Sequence, residues 1–266
     1  MESMPSTDAC AEPAPRGASA ADTTLDRLIR ILGAFDVAEP ELTVAALARR
    51  ADLPLPTAYR WVDRLVRAEL LERGPGGRVR PGMRLWEIAA RSAPTMPLAR
   101  AAMPFLLDVQ AVLRQSTQLA VLDDDGVLVL ERLSSQDAVV NQATVAGRLP
   151  AFTTSMGLVL LAFAPTTETE RFLRRHRARL GRPSAPTEEG LRALLTQVRH
   201  DGYAAVDGAL DEEARGVAVP VRRGRHEAPA ALGVVLPRGA EATPGVPPLL
   251  MTAARGITRA LGGDSH

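Results

Sequence analysis

The 266-residue sequence predicts an α+β fold: an N-terminal winged helix-turn-helix domain, a helical linker, and a larger α/β domain. Three observations indicate this. Apolar residues recur at spacings of three and four over residues 25–65. Around 117–133 the period changes to two, on both sides of an Asp-Asp-Gly turn. Strand-like and helix-like stretches then alternate to about residue 261, as in an α/β domain built on a mainly antiparallel sheet.

The composition separates these regions and limits the possible partners. We expect a disordered tail at 1–22, the first domain at 23–81, a linker helix at 82–97 and the second domain at 98–262. The tail is rich in Ala, Pro and Ser and has little to bury. The net charge is +1 and all 32 basic residues are Arg, so any surface for nucleic acid must be local.

The expected compartment follows from features that the sequence lacks. Cys10 is the single cysteine, so no disulfide can form within the chain. There is no run of about 18 apolar residues, and the first residues do not have the layout of a signal peptide. We therefore expect a cytoplasmic protein with no membrane partner.

The first domain begins with two short helices. Thr23 or Thr24 can cap the first helix, and Thr43 can cap a second helix at 44–50. The residues at 51–53 form the turn that follows. The expected apolar stripe of the first helix consists of Leu25, Leu28, Ile29, Leu32 and Phe35.

A third helix and a hairpin complete this domain. Pro54 and Pro56 fit only the first turn of a helix, where missing N–H groups do no harm. In that helix Ala58, Val62 and Leu65 form a core-facing stripe, with Trp61 beside it. Two short strands at 70–73 and 78–80 flank a Gly-Pro-Gly-Gly turn and predict a wing.

With that stripe turned inward, the first turn and outer face of the third helix are free to enter a DNA major groove. A bidentate contact from Arg60 to guanine would be worth ~1–3 kcal/mol of discrimination. The predicted DNA-contacting residues are Thr43, Arg49, Arg50, Leu55, Pro56, Thr57, Tyr59, Arg60, Arg64, Arg78 and Arg80. The alternative is a protein-interaction or dimerisation module with a solvated arginine face, since residues 23–81 hold ten Arg against eight acids.

The remaining elements follow from periodicity and turn residues. Helices are expected at 83–91, 98–115, 155–163, 167–177, 187–200 and 246–261. Strands are expected at 117–123, 126–133, 138–145, 203–206, 215–221 and 229–236. Thr153, Thr154 and Ser155 precede the helix at 155–163. Their hydroxyls and the free N–H groups suit an anion, although such hydroxyls often only cap the helix.

The segment 42–73, LTVAALARRADLPLPTAYRWVDRLVRAELLER, resembles the winged helix-turn-helix of IclR-type bacterial transcription regulators. The recognition helix of that family usually begins Leu-Pro-Lys-Ser-Thr-x-x-Arg. Leu53, Pro54, Thr57 and Arg60 match this pattern, whereas Leu55 and Pro56 replace Lys and Ser. These replacements imply a different operator. GRLPAFTTSMGLVLLAF (147–163), DGYAAVDGALDEEARGVAVPV (201–221) and AALGVVLP (230–237) are similar to later family segments, in the same order.

The resemblance implies a GAF/profilin-like effector-binding domain with a small-molecule pocket. The ligand-binding residues that it implies are Thr154, Ser155, Met156, Asp207, Arg215, Gly216, Gly233 and Val235. The family often has Ser where this chain has Gly233 and Val235. Fewer hydroxyls and more room favour an aromatic or otherwise bulky organic acid. Asp207 is equally explained as a turn residue, and Arg215 as part of a solvated charge cluster.

We therefore expect a ligand-responsive transcription regulator that binds a double-stranded DNA operator and a small organic acid. As a homodimer or homotetramer it would place two recognition helices ~34 Å apart. The region 83–115 would contribute to the dimer contact, and the ligand would shift the balance between oligomeric arrangements.

Two other hypotheses stay open at this point. The second domain could be an enzyme that transforms a small acid, with an N-terminal dimerisation module, or the chain could bind DNA without sequence preference. The four His lie at no metal-ligand spacing, and Ser155 is not in a Gly-x-Ser-x-Gly elbow. We therefore predict no catalytic residue, no metal and no cofactor.

Overall fold

The computed structural model describes residues 23–36, 39–92, 95–135, 138–139, 143–182, 185–223, 227–239 and 245–262. The contacts divide the chain into two compact units between Arg91 and Ser92. Each unit has its own buried hydrophobic residues.

The first unit contains the expected helices and hairpin. In chain order they are α1 (Thr24–Leu32), α2 (Val44–Arg50), α3 (Leu55–Arg67), β1 (Leu71–Arg73), β2 (Val79–Pro81) and α4 (Met83–Ser92). Thr23 caps α1 through a capping box with Asp26. The Thr43 hydroxyl accepts a hydrogen bond of 3.1 Å from the Ala46 N–H and caps α2, as predicted.

The stripe predicted for α1 is partly wrong. Leu28, Leu32 and Phe35 pack against the core, but Leu25 and Ile29 are exposed and Ile31, outside the predicted stripe, is fully buried. The helix is therefore rotated about its axis relative to the prediction. The spacing of apolar residues shows that a helix has an apolar side, but it does not show which residues of that side face the core.

The α2–turn–α3 segment has the geometry that its prolines predict. Pro54 is the N-cap of α3 and Pro56 lies in the first turn. In the preceding turn Asp52 has φ 50°, and the Leu53 N–H donates to the Ala48 carbonyl at 2.9 Å. The predicted stripe of Ala58, Val62 and Leu65 is buried.

The wing is a two-stranded antiparallel hairpin whose pairing runs from Leu71↔Pro81 to Arg73↔Val79. A short 3-10 turn at Pro75–Gly77 joins the strands. Leu42 and Val79 exchange backbone hydrogen bonds of 2.9 and 2.7 Å, which attach the wing to the segment before α2.

The second unit is a six-stranded sheet with helices on both faces. Its elements are α5 (Met96–Leu113), β3 (Ser116–Asp123), β4 (Gly126–Leu133), β5 (Arg148–Leu149), α6 (Ser155–Phe163), α7 (Thr166–His176), α8 (Glu188–Asp201), β6 (Ala204–Asp207), β7 (Ala214–Arg223), β8 (Glu227–Pro237) and α9 (Val246–Ala260). The strand order is β5-β4-β3-β8-β7-β6, and every neighbouring pair is antiparallel. The predicted α+β fold with a mainly antiparallel sheet is confirmed.

Strand alternation divides this unit into two apolar layers. Ala120 and Ala218 belong to the core beneath α6, α7 and α8, whereas their neighbours Leu119 and Val219 belong to the core beneath α5 and α9. The face on which a residue of β3, β7 or β8 lies therefore decides which set of helices it meets.

The prediction of a strand at 138–145 is wrong. Residues 138–139 and 143–145 lie outside strands, and 140–142 are outside the described residues. The Val139 N–H donates to the Gln115 side chain at 3.1 Å, and the Gly147 N–H donates to Thr144 in a turn in which Ala146 has φ 63°. Beyond this segment the short strand β5 pairs with β4, on the side of β4 away from β3.

Helix α5 ends at Leu113, two residues earlier than predicted, because Arg114 takes the left-handed conformation with φ 54°. Among the described residues α5 alone is long and apolar enough to pass a length-and-hydropathy test for a membrane span. Its Leu98, Ala102, Leu106 and Val109 pack into the core beneath α5 and α9, and core helices pass the same test.

Candidate DNA interface and effector cavity

The outer face of α3 is open to solvent. Leu55 and Tyr59, both large side chains, are 44% and 48% exposed. Pro56 and Arg60 are also exposed, and Thr57 is half-buried. The fold therefore leaves the predicted reading residues of α3 accessible to a partner.

The predicted arginines differ in how far the protein already engages them. Within the described residues, Arg49 and Arg60 are exposed and have no ion-pair partner. The same holds for Arg67 at the end of α3. The Arg64 guanidinium lies over the Trp61 ring, 5.2 Å from its centroid. Arg49, Arg60 and Arg67 can thus contact a nucleic acid without breaking an existing ion pair.

The other predicted arginines make contacts within the first unit. Arg50 pairs with Glu39 and donates to the Ala34 carbonyl at 3.1 Å. Arg78 donates to the Glu41 carbonyl at 3.0 Å. Contact with phosphate would compete with these bonds.

Arg80 is held between two carboxylates, Glu72 and Glu41, each at 3.2 Å. The Met83 N–H, at 3.2 Å, and the Arg80 guanidinium together hold the pKa of the Glu72 carboxyl below its ordinary value, with the Met83 hydrogen bond contributing most. Glu72 therefore links the wing to the first residue of α4.

A narrow cavity lies in the second unit beneath the start of α6. Its empty volume, including the mouth, is about 500 Å³. The centre of a water molecule could occupy only about 60 Å³ of it. The lining residues are Gln118, Leu149, Thr154, Ser155, Met156, Val206, Ala209, Leu210, Asp211, Ala214, Gly216 and Val235. The structure thus brings together five of the eight residues proposed for the ligand site: Thr154, Ser155, Met156, Gly216 and Val235.

Two glycines let α6 approach the sheet closely. A Cβ on Gly216 would lie 2.8 Å from the Ser155 Oγ. A Cβ on Gly233 would lie 3.0 Å from Cγ and 3.1 Å from Sδ of Met156. The space above Gly233 is therefore occupied by Met156, and the extra room expected from a glycine at this position is not present.

At the start of α6 the Thr154 side chain is hydrogen-bonded, whereas two backbone N–H groups have no partner in the described part of the chain. The Thr154 hydroxyl accepts from the Gly157 N–H at 3.2 Å and donates to the Pro150 carbonyl at 2.6 Å, so it caps the helix. Within the described residues no acceptor is found for the N–H groups of Ser155 and Met156. These two groups lie at the positive end of the helix dipole.

Asp207 and Arg215 lie on the other face of the sheet. They are cross-strand partners in β6 and β7, and their side chains approach to 3.5 Å. Because successive residues of a strand point to opposite faces, the adjacent Val206 and Gly216 line the cavity instead. Neither Asp207 nor Arg215 lines the cavity, and Arg215 pairs with Asp207 instead of joining the solvated charge cluster that was the alternative to a ligand contact.

Sequence reasoning missed several lining residues, of which Gln118 is the most informative. It is 1% exposed, and its Nε2 has no hydrogen-bond partner in the part of the chain that the structure describes. The available signal was an amide side chain directly before the apolar run from Leu119 to Leu122 of a predicted strand. Ala209, Leu210 and Asp211 reach the cavity from the loop between β6 and β7, for which periodicity gives no indication.

The described residues include no group of three His, Cys, Asp or Glu side chains that could hold a metal ion.

A winged helix-turn-helix in one unit and a sheet domain with an internal cavity in the other define the class of one-chain DNA-binding regulators with a sensor domain.

The comparisons with known proteins identify the family. Residues 24–75 match the IclR helix-turn-helix domain, and residues 90–258 match the C-terminal domain of the bacterial transcriptional regulator IclR. The chain belongs to the IclR family of bacterial transcription regulators, as the sequence resemblance predicted. It has the DNA-binding helix-turn-helix and the effector-binding domain of that family.

Named relatives and solved structures agree with this assignment. The Pca regulon regulatory protein of Pseudomonas putida is 29% identical over 249 residues, which cover 91% of this chain and 84% of the relative. An IclR homolog of Microbacterium hydrocarbonoxydans, solved in complex with 4-hydroxybenzoate, is 42% identical with a TM-score of 0.79, covering 91% of this chain and 100% of that one. The Thermotoga maritima IclR, 19% identical with a TM-score of 0.70, covers 90% of this chain and 98% of its own and supports the fold alone.

Proposed function

We propose that this regulator reads its operator with α3 and responds to a small aromatic acid bound in the cavity beneath α6. The observation that carries the proposal is that Ser155 and Met156, whose N–H groups have no acceptor among the described residues, line a cavity whose other side chains are mostly apolar. A helix N-terminus favours an anion, and the apolar lining favours the organic body attached to it.

The relatives support the aromatic character of the effector. The homolog that is 42% identical was solved with 4-hydroxybenzoate, an aromatic acid with a hydroxyl opposite its carboxylate. The cavity is narrow, and Met156 fills the space above Gly233. Because an unbranched thioether adapts easily, rotation of the Met156 side chain would admit a ring.

For the operator, we propose that Arg60 contacts a base edge and that Arg49 and Arg67 contact phosphates. The support is their exposure and their lack of ion-pair partners within the described residues. Tyr59 and Leu55 add exposed apolar surface on the same helix for contacts with thymine methyl groups.

We also propose that the chain acts as a homo-oligomer through α4 and α1. Met83 and Trp86 on α4 are 64% and 63% exposed, and Leu25 and Ile29 on α1 are exposed as well. Such large apolar side chains on neighbouring turns are typical of an interface. Sedimentation analysis of Trp86→Glu tests this: the oligomer should dissociate, whereas Leu194→Glu, at an exposed leucine of α8, should leave it intact.

As a member of a family of transcription regulators, the chain is proposed to act by binding and not by catalysis, in the cytoplasm. The test is a DNA-binding titration that uses the DNA flanking its gene, with and without 4-hydroxybenzoate, together with calorimetry of the acid alone. We expect specific DNA binding and saturable acid binding. Turnover of the acid, combined with equal binding to all duplexes, would contradict the proposal and favour an enzyme.

A further inference from the structure

Polar groups of opposite hydrogen-bonding character line the cavity beneath α6, one on β3 and the other in the loop between β6 and β7. Gln118 lies on β3, near the middle of the sheet, and its buried Nε2 is a donor for which the described residues provide no acceptor. Asp211 lies in the loop that joins the edge strand β6 to its neighbour β7, and its carboxylate is an acceptor. Both residues line the cavity.

Gln118 differs from its neighbours on β3, whose side chains are hydrogen-bonded. Ser116 and Thr117 on the same strand are also buried, but the Ser116 hydroxyl contacts Ser134 at 3.0 Å and the Thr117 hydroxyl donates to the Gln115 carbonyl. A buried amide nitrogen without a partner destabilises the fold. Such a cost is understandable where a ligand provides the acceptor.

The register of the sheet places Gln118 next to the open helix donors. Gln118 pairs with Gly233 in β8, and the Met156 side chain packs directly above Gly233. A carboxylate at this end would meet the Gln118 amide and the first N–H groups of α6. At the opposite end Asp211 would repel it, so the electrostatics orient an acid with its carboxylate toward β3.

Asp211 is held in place for a different contact. One of its oxygens, Oδ1, accepts from the Glu213 N–H at 3.0 Å, which fixes the side chain within its turn. The carboxylate retains further acceptor capacity. The loop that carries Asp211 joins β7 and β6, which lie two and three strand intervals of about 4.8 Å from β3, or roughly 10–14 Å. A ring with polar groups at both ends spans such a separation better than a two- or three-carbon acid does.

Resting on the proposed function above, we propose that the cavity selects hydroxy-substituted aromatic acids by reading both ends. Gln118 donates to the carboxylate, and Asp211 accepts from a hydroxyl at the far end of the effector. Gln118 and Asp211 are thus specificity-determining residues of the effector domain.

The experiment is calorimetry on the full chain with 4-hydroxybenzoate and 4-methylbenzoate, which are similar in shape but differ in the distal hydroxyl. The wild type should bind the hydroxy acid about tenfold more tightly. Asp211→Ala should bring the two affinities together and leave that of the methyl acid unchanged. Glu212→Ala, at the exposed neighbour in the same loop, should keep the wild-type preference.

Gln118→Met tests the other end. It should weaken both acids by about tenfold and preserve their ratio, because a charge-assisted hydrogen bond to the shared carboxylate is lost. It should also raise the melting temperature of the ligand-free protein, since an unsatisfied buried amide is removed. Gln197→Met, on the exposed face of α8, should do neither.

The outcomes separate the two levels of the proposal. Equal affinity of the wild type for both acids would show that the cavity does not recognise the distal hydroxyl, and this result needs no variant. Unchanged acid affinity in Gln118→Met, or an equal loss for both acids in Asp211→Ala, would overturn the role of that residue while leaving the effector cavity intact. Failure of the wild type to bind either acid would overturn the proposed effector class itself.

Discussion

Gly216 lies directly beneath Ser155, so closely that a Cβ on the glycine would be 2.8 Å from the serine Oγ. This contact joins the middle of a strand to the first residue of α6. It allows the positive end of the helix to reach the cavity, and it explains why the position next to Arg215 has no side chain. The first prediction follows from it.

Gly216→Ala should push Ser155 away from the sheet and narrow the cavity. We expect acid binding to weaken by at least about tenfold, because an inserted methyl group in a packed site costs on the order of 1–3 kcal/mol. Operator binding without acid should remain. Calorimetry measures the first quantity and a gel shift the second. Gly245→Ala, where a Cβ meets nothing within 4 Å, is the matched control.

Gly82→Ala should destabilise the first unit. A Cβ at this position would lie 2.2 Å from the Glu69 carbonyl oxygen, and backbone cannot yield as a flexible side chain does. We expect a loss of roughly 1–3 kcal/mol or more. Both tryptophans, Trp61 and Trp86, lie in this unit, so tryptophan fluorescence during urea unfolding reports on it selectively.

The control for Gly82 is Gly74→Ala, whose Cβ would meet Glu41 at an ordinary 3.6 Å. Its unfolding midpoint should stay close to that of the wild type. Coincident curves for Gly82→Ala and Gly74→Ala would show that the close approach to Glu69 is not a constraint on this fold.

Arg60→Ala should weaken operator binding and relax base preference at one position. A bidentate contact to guanine is worth ~1–3 kcal/mol, or about 5- to 150-fold in affinity. Fluorescence anisotropy with the operator and with single-base variants measures both effects. Arg174→Ala removes an exposed arginine from α7 in the other unit and controls for charge. If Arg60→Ala retained wild-type affinity and base preference, Arg60 would not be a reading residue.

Glu72→Gln should change how the first unit responds to acid. The pKa of Glu72 is lowered by the Met83 N–H and by Arg80. A carboxyl with a lowered folded pKa stabilises the fold fully above its unfolded pKa, about 4.3, and loses that contribution as the pH falls through the folded value. The variant should therefore be less stable than the wild type at pH 7.

The two proteins should converge in stability as the pH falls through the lowered folded pKa of Glu72, because the carboxyl is then protonated in both the folded and the unfolded state. Tryptophan fluorescence during urea unfolding at several pH values provides the comparison. A stability difference that stays constant from pH 7 to pH 2 would mean that Glu72 acts through shape and not through its charge.

The parts of the fold that local chemistry determines were predictable from the sequence. Thr43 and Pro54 mark helix starts, and the bounds of α6 agree with the prediction. The core stripe of Ala58, Val62 and Leu65 follows from a period of 3.6 residues. Each of these features depends on residues that are close together in the chain.

The predictions that failed concern features set by contacts between elements that are distant in the chain. Whether Arg215 or Gly216 faces the cavity is a matter of strand parity, which a shift of one residue reverses. The rotation of α1 that exposes Leu25 depends on its neighbours. Gln118 could be noticed as a polar residue in a strand, but only the sheet order shows that it meets the start of α6.

The most direct measurement is the affinity of the full chain for its operator duplex at increasing concentrations of 4-hydroxybenzoate, with acid binding verified by calorimetry. Coupling between the two sites predicts an affinity change of about fivefold or more, in either direction. If the acid bound the chain while the DNA-binding isotherms remained superimposable, the cavity beneath α6 would not be the sensor that controls DNA binding.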